Sequence, residues 1–156
     1  ILVHSAGTGA LIGSAMDERA AAQLIAYGGD PAGFSARALT PELIAESDLV
    51  LTATRSHRGA VSTMNPKALR KVFTFLDFTD LVAGIDGLSA RASHMDPRVW
   101  VRKVTETAAA SRGLTPPLPP LDADIVDPLR RAAEVLVTMP QQVVASIPPA
   151  VPAQVG

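Results

Sequence analysis

The chain has 156 residues, 47% of them hydrophobic, which is enough for one domain with a buried core and excludes a largely disordered chain. Its formal net charge of −1 provides no field for nucleic acid or an anionic membrane surface. It contains no cysteine, which excludes disulfides, thiolate catalysis and zinc–cysteine sites within the chain, and its apolar runs fall far short of the ~20 residues of a membrane span.

Ile1–Ser5 reads as a short buried strand, followed by a glycine-rich loop, "HSAGTGALIG". Asp17 can cap a helix in which Ala20, Leu24 and Tyr27 share one face, and Gly28-Gly29 ends it. "GFSARALT" reads as extended. Thr40-Pro41-Glu42 starts a second, short helix, with the hydroxyl as cap and proline in the first helical position, ending near Ser47. "DLVLTAT" (Asp48–Thr54) reads as a buried strand, Ser56–Met64 as a helix broken at Asn65-Pro66, and "KVFTFL" (Lys71–Leu76) as another strand with a helix to about Val82. This alternation predicts an α/β domain with a parallel sheet and helices on both faces. A further helix is expected from Pro97 to about Ser111, with Val101, Val104 and Ala108 in one stripe. "GLTPPLPPL" favours an extended polyproline linker. After "DADIVDP", a helix kinked at Pro140 is expected from about Leu129, and "IPPAVPAQVG" reads as a frayed tail.

The glycine loop invites a phosphate-binding reading. Gly7 and Gly9 fit a dinucleotide fingerprint, but the third glycine is Gly13, one position late. Asp30, the acidic residue at the expected distance, sits in a turn between Gly29 and Pro31. No lysine precedes Lys67, so there is no P-loop. Of the three histidines, His57 lies just after a strand end, where open α/β sheets gather ligands; a surface hydrogen-bonding role is the plainer reading, and His4 and His94 read as structural. No His/Asp/Glu trio has metal-ligand spacing, so a metal site is not expected. Neither Ser5 nor Ser62 has a motif that would make it a nucleophile. Asp127 precedes Pro128 and a predicted helix, so it reads either as a helix cap or as a general acid held by the rigid proline.

In order, "VHSAGTGA", "DERA", "FSARALT", "ESDLVLTATRSHR", "KVFTFLDF" and "DIVDP" resemble the low-molecular-weight protein-tyrosine phosphatase family. The resemblance covers Ile1 to about Ala83 and Asp124 to about Ile147. The segment from about residue 85 to 120 looks like an insertion of some bacterial, arsenate reductase-like members. The implied organisation is one domain over 1–147 and a proline-rich tail over 148–156.

The resemblance implies hydrolysis of phosphomonoesters, phosphotyrosine above all, through a phosphocysteine formed on a C-x5-R loop, without a cofactor. It implies Asp127 as general acid and Ser5 as support for the phosphate loop. Leu11 and Leu129 would stand at the substrate rim, where the family usually has aromatic residues. The implied partner is a phosphorylated protein or a small phosphomonoester, and the implied compartment is the cytoplasm.

The family's first strand, C-x5-R loop and first helix have no counterpart here. Ile1 falls where the second strand begins, so a sizeable N-terminal segment is expected to be missing. The chain as it stands is expected to be inactive. Arsenate reduction would need several cysteines and is excluded for this chain. Two other readings stand beside this one: a degenerate, non-catalytic relative acting as a binding module, and a Rossmann-like nucleotide-binding protein resting on Gly7-x-Gly9.

Overall fold

A computed structural model describes residues 1–85, 95–114, 116–119 and 122–125. The expected helix after Asp127, the kink at Pro140 and the tail over 148–156 lie outside the described residues, as do His94, Asp127 and Leu129.

Helix α1 (Glu18–Ala26) starts where expected. Asp17 accepts the amides of Arg19 and Ala20 at 3.0 and 3.2 Å, and Gly28 ends the helix with φ 79°. A side chain at Gly28 would be strained in that left-handed conformation. Asp30 accepts the Ala32 amide at 2.8 Å, so it closes a turn and does not end a strand. Helix α2 (Pro41–Glu46) is capped by Thr40, whose hydroxyl accepts the Leu43 amide at 3.2 Å.

Strand β1 (Val50–Thr52), helix α3 (Arg55–Met64), a 3-10 helix (Pro66–Lys71), strand β2 (Val72–Thr74) and helix α4 (Phe75–Ala83) follow, and after them helix α5 (Pro97–Ser111). Asp96 caps α5, taking the amides of Arg98 and Val99 at 2.9 and 3.2 Å. Of the expected stripe on α5, Val104 and Ala108 are buried and Val101 is half-buried.

The two strands pair in parallel, Val50 with Val72, Leu51 with Phe73 and Thr52 with Thr74. Successive strand residues point to opposite faces. Val72 packs with Ile44, Val61 and Ala68, so α2 and α3 lie on that face. Phe73 points the other way, edge-on to Phe78 of α4 with centroids 5.1 Å apart, and the Arg112 guanidinium beyond α5 lies 3.6 Å over its ring. All three β2 residues are buried, as a strand covered on both faces requires. The α/β reading with a parallel sheet between helical layers therefore holds.

Three expected elements differ. Ile1–Ser5 is not a buried strand: Ile1, Leu2 and Val3 are 79, 88 and 88% exposed. A strand needs a neighbour for its amides and carbonyls. Among the described residues the one β-bridge in this part of the chain runs from Gly7 to Ala38, after Ser5. The strand expected over Asp48–Thr54 is shorter, because Thr54 already caps α3. The strand expected over Lys71–Leu76 stops at Thr74, whose hydroxyl accepts the Asp77 amide at 3.2 Å and starts α4 there.

Asp48, two residues before β1, ties α5 to the sheet. Its carboxylate meets Arg98 at 2.8 Å and Arg102 at 2.7 Å, one turn apart on the helix. Hydrogen bonds from Arg102 first, and from Arg98 next, hold its pKa below the ordinary 3.8. A lowered folded-state pKa contributes stability that is present above the unfolded value and is lost as pH falls through the folded value. The melting temperature of Asp48→Asn should therefore fall less steeply on acidification below about pH 4 than the parent's. A pH series of thermal melts measures this, and equal acid limbs would show that the bridge contributes nothing.

Candidate active site

A cleft of about 370 Å³ runs alongside β1. One wall is made of His4 to Thr8 and the other of Leu49 to Ala53, with Leu39, Leu43, Ile44 and Val61 between them. In each wall five consecutive residues line the cleft. Alternate residues of a strand point to opposite faces, so an unbroken run lining one space presents its edge. Leu51, in the middle of β1, remains 40% exposed. The cleft reaches His57 beyond the C-terminal end of β1, the end at which open α/β sheets take ligands.

At that end Thr54 caps α3, its hydroxyl accepting the His57 amide at 3.2 Å and lying 3.1 Å from His57 Nδ1. His57 thus belongs to the first turn of α3 and hydrogen-bonds its cap. The Arg55 amide donates to Asp124 Oδ1 at 2.7 Å, and Arg55 Nε lies 3.4 Å from the same oxygen. The Ile125 amide donates to the Ala53 carbonyl at 2.9 Å. Asp124 and Ile125 are therefore fastened to the end of β1 and the start of α3.

The model of the low molecular weight phosphotyrosine protein phosphatase family matches residues 1–86, more than half of the chain. The chain belongs to this family. No curated protein matches it. Among solved structures it is similar to the tyrosine phosphatase AmsI of Erwinia amylovora, with 25% identity, 67% of this chain and 68% of that chain covered, and a TM-score of 0.46. It is also similar to Wzb of Vibrio vulnificus in complex with benzylphosphonate, with 19% identity, 65% and 68% covered, and a TM-score of 0.41.

In this phosphatase-family domain the glycine loop is occupied by its own backbone. Gly7 N–H donates to the Arg37 carbonyl at 2.9 Å and Gly13 N–H to the Ala36 carbonyl at 2.8 Å. Those two amides are not free to cradle a phosphate, which removes the support for the nucleotide-binding reading. Ser5 is exposed and stands in the wall of the cleft with His4. Leu11 is 79% exposed and does not line the cleft. Among the described residues no group of three His, Cys, Asp or Glu could hold a metal ion.

A larger cleft, about 630 Å³, is lined by Asp48, Lys67, Arg70, Lys71, Arg98 and Arg102 among others. It is the less suitable site for chemistry despite its size. It opens at Asp48, ahead of the N-terminal end of β1, and two of its arginines, Arg98 and Arg102, are held by Asp48. Lys71 Nζ is spent on the carbonyls of Ala45 and Ser47 at 2.8 and 2.6 Å.

Sequence reasoning gave no part to Asp124, because its partner Arg55 lies 69 positions away. It also passed over the capping pattern Thr74-x-x-Asp77, which was readable. Among the described residues no helix is long and apolar enough to cross a membrane.

Proposed function

We propose that this domain hydrolyses phosphomonoesters, phosphotyrosine in proteins above all, when a strand–C-x5-R–helix segment occupies the cleft between His4–Thr8 and Leu49–Ala53. The observation that carries the reading is that β1, whose one paired neighbour among the described residues is β2, turns its other side to the cleft, with the run His4–Thr8 across from it. A strand entering there would pair on both sides, and the loop following it would emerge at the C-terminal end of β1. The cysteine thiolate would attack phosphorus, and Asp127 would give its proton to the departing oxygen. Water would then release phosphate from the phosphocysteine. Ser5, on the cleft wall, would brace the phosphate loop by hydrogen bonding. Leu11 and Leu129 would stand at the substrate rim. No cofactor takes part in these steps, and the compartment proposed is the cytoplasm.

The chain as it stands has no cysteine and therefore no nucleophile for this reaction. The purified chain should give no turnover of an aryl phosphate at mildly acidic pH above a buffer control. The chain joined behind a family-type strand–C-x5-R–helix segment should give turnover that requires the cysteine. Chelator-resistant turnover by the chain alone, proportional to protein, would overturn the first expectation. A joined protein that folds but stays inert would favour the non-catalytic binding module.

A further inference from the structure

We propose that the basic cleft ahead of β1 is a docking site for an acidic peptide segment of a protein partner. The cleft is bounded by the end of α2, by Ser47 and Asp48, by the 3-10 helix and by one face of α5. Its volume of about 630 Å³ lies in the ordinary range of ligand clefts, roughly 300–1,000 Å³.

Positive charge is gathered here. Lys67, Arg70 and Lys71 from the 3-10 helix and Arg98 and Arg102 from α5 line the cleft. Three carboxylates face these five cations, those of Glu46, Asp48 and Glu106, in a chain whose net charge is −1. Arg70 follows Lys67 by three residues, and Arg102 follows Arg98 by four. At those spacings side chains on a helix are neighbours, and like charges repel. The fold alone gains nothing from that arrangement, whereas an anionic ligand does.

The carboxylates of the chain answer only part of the charge. Asp48 takes Nε of Arg98 at 2.8 Å and Nε of Arg102 at 2.7 Å. The terminal nitrogens of both guanidiniums have no partner among the described residues, and the two side chains are 65 and 55% exposed. Asp48 thus fixes two guanidinium groups side by side and leaves their outer nitrogens free to donate. Lys71 braces the 3-10 helix against the carbonyls at the end of α2. Lys67 and Arg70 are exposed and have no partner among the described residues.

Guanidinium and ammonium groups suit carboxylate and phosphate alike. Glu46 and Glu106 decide between them. Both stand in the same lining, where they repel an oligophosphate, which offers acceptors throughout. A peptide brings backbone N–H donors beside its acidic side chains, so it can meet both signs of charge. No aromatic residue lines the cleft among the described residues, so a base would find no ring to stack on, which argues against a nucleotide.

The test is fluorescence anisotropy of a fluorescein-labelled hexaglutamate peptide with the full chain. The parent should bind it, more weakly as salt rises. Lys67→Gln combined with Arg70→Gln should weaken binding roughly tenfold, as the loss of two exposed ion pairs allows. Lys103→Gln, exposed on α5 outside the lining, should bind as the parent does. Neither Lys67 nor Arg70 holds a contact that folding would miss. If the double variant still fails to fold, Arg70→Gln alone decides, with a loss of about threefold expected. A parent that does not bind hexaglutamate overturns the proposal. So does a folded variant of the cleft that binds like the parent, or a loss in Lys103→Gln equal to that in the cleft variant. Tripolyphosphate displacing the labelled peptide at lower concentration than unlabelled hexaglutamate would assign the cleft to oligophosphates and overturn the peptide reading. None of these readouts involves turnover, so their outcome is separate from that of the phosphatase reading.

Discussion

In the chain joined behind a strand–C-x5-R–helix segment, Asp127→Asn should lower kcat on an alkyl or weakly acidic aryl phosphate by roughly 10²–10⁴-fold, the usual value of general acid catalysis. The leaving oxygen of such a substrate takes on full negative charge unless a proton arrives as the P–O bond breaks. A strongly acidic phenol carries that charge unaided, so the loss with it should be small. Asn is close to Asp in size and can still cap a helix, but it has no proton to give at this pH. The variant therefore separates the two roles that the sequence leaves open for Asp127. Asp122→Asn should be near neutral. Asp124→Asn should also stay near the parent, because an amide oxygen can accept the Arg55 N–H that the carboxylate accepts now. The measurement is kcat for two leaving groups in the three variants. A kcat for Asp127→Asn equal to the parent's on the poor leaving group would make Asp127 a cap only.

What was legible in the sequence was local. Asp17, Thr40-Pro41 and Asp96-Pro97 each announce a helix start, because a cap is a contact between residues two or three apart. Gly28 announces a helix end for a similar reason, its positive φ being a property of one residue. "KVFTFL" was harder, since a short apolar run has no period that tells strand from helix. There the threonine decided, and Phe75 and Leu76 went to α4. What was not legible depended on distant partners. Ile1–Ser5 has the composition of a strand, but composition cannot supply a neighbour, and the segment stands exposed. The pairing of Arg55 with Asp124 spans 69 positions and leaves no periodic trace. The family resemblance was legible for a different reason. Its motifs sit at strand ends and helix caps, which are the local features that a sequence displays most directly.

Phe73→Ala should cost about 3–5 kcal/mol of folding stability, the range for deleting a fully buried phenylalanine. That is a large part of the ~5–15 kcal/mol that holds an ordinary domain together. The side chain is fully buried, and its loss opens a void between β2, α4 and the end of α5. Two further contacts go with it, the edge-on packing of Phe78 at 5.1 Å and the seat of the Arg112 guanidinium at 3.6 Å. Arg112 also donates to the carbonyls of Leu69, at 2.7 Å, and Val72. Burial, and then the like charge of Arg58, lower its pKa, against a raising influence from Asp77. The guanidinium stays charged at any working pH. A charge in that partly buried position depends on what lies beneath it, and a ring face is worth up to ~2 kcal/mol to a desolvated cation. The contact can be isolated by pairing Phe73→Leu, which keeps most of the volume, with Arg112→Met, which keeps most of the stem. Denaturant unfolding of the parent, both single variants and the double variant then gives a coupling energy. A coupling of about 1–2 kcal/mol is expected for residues in such direct contact. A coupling near zero, with both single variants destabilised, would assign the role of Arg112 to its two carbonyl bonds and that of Phe73 to volume alone.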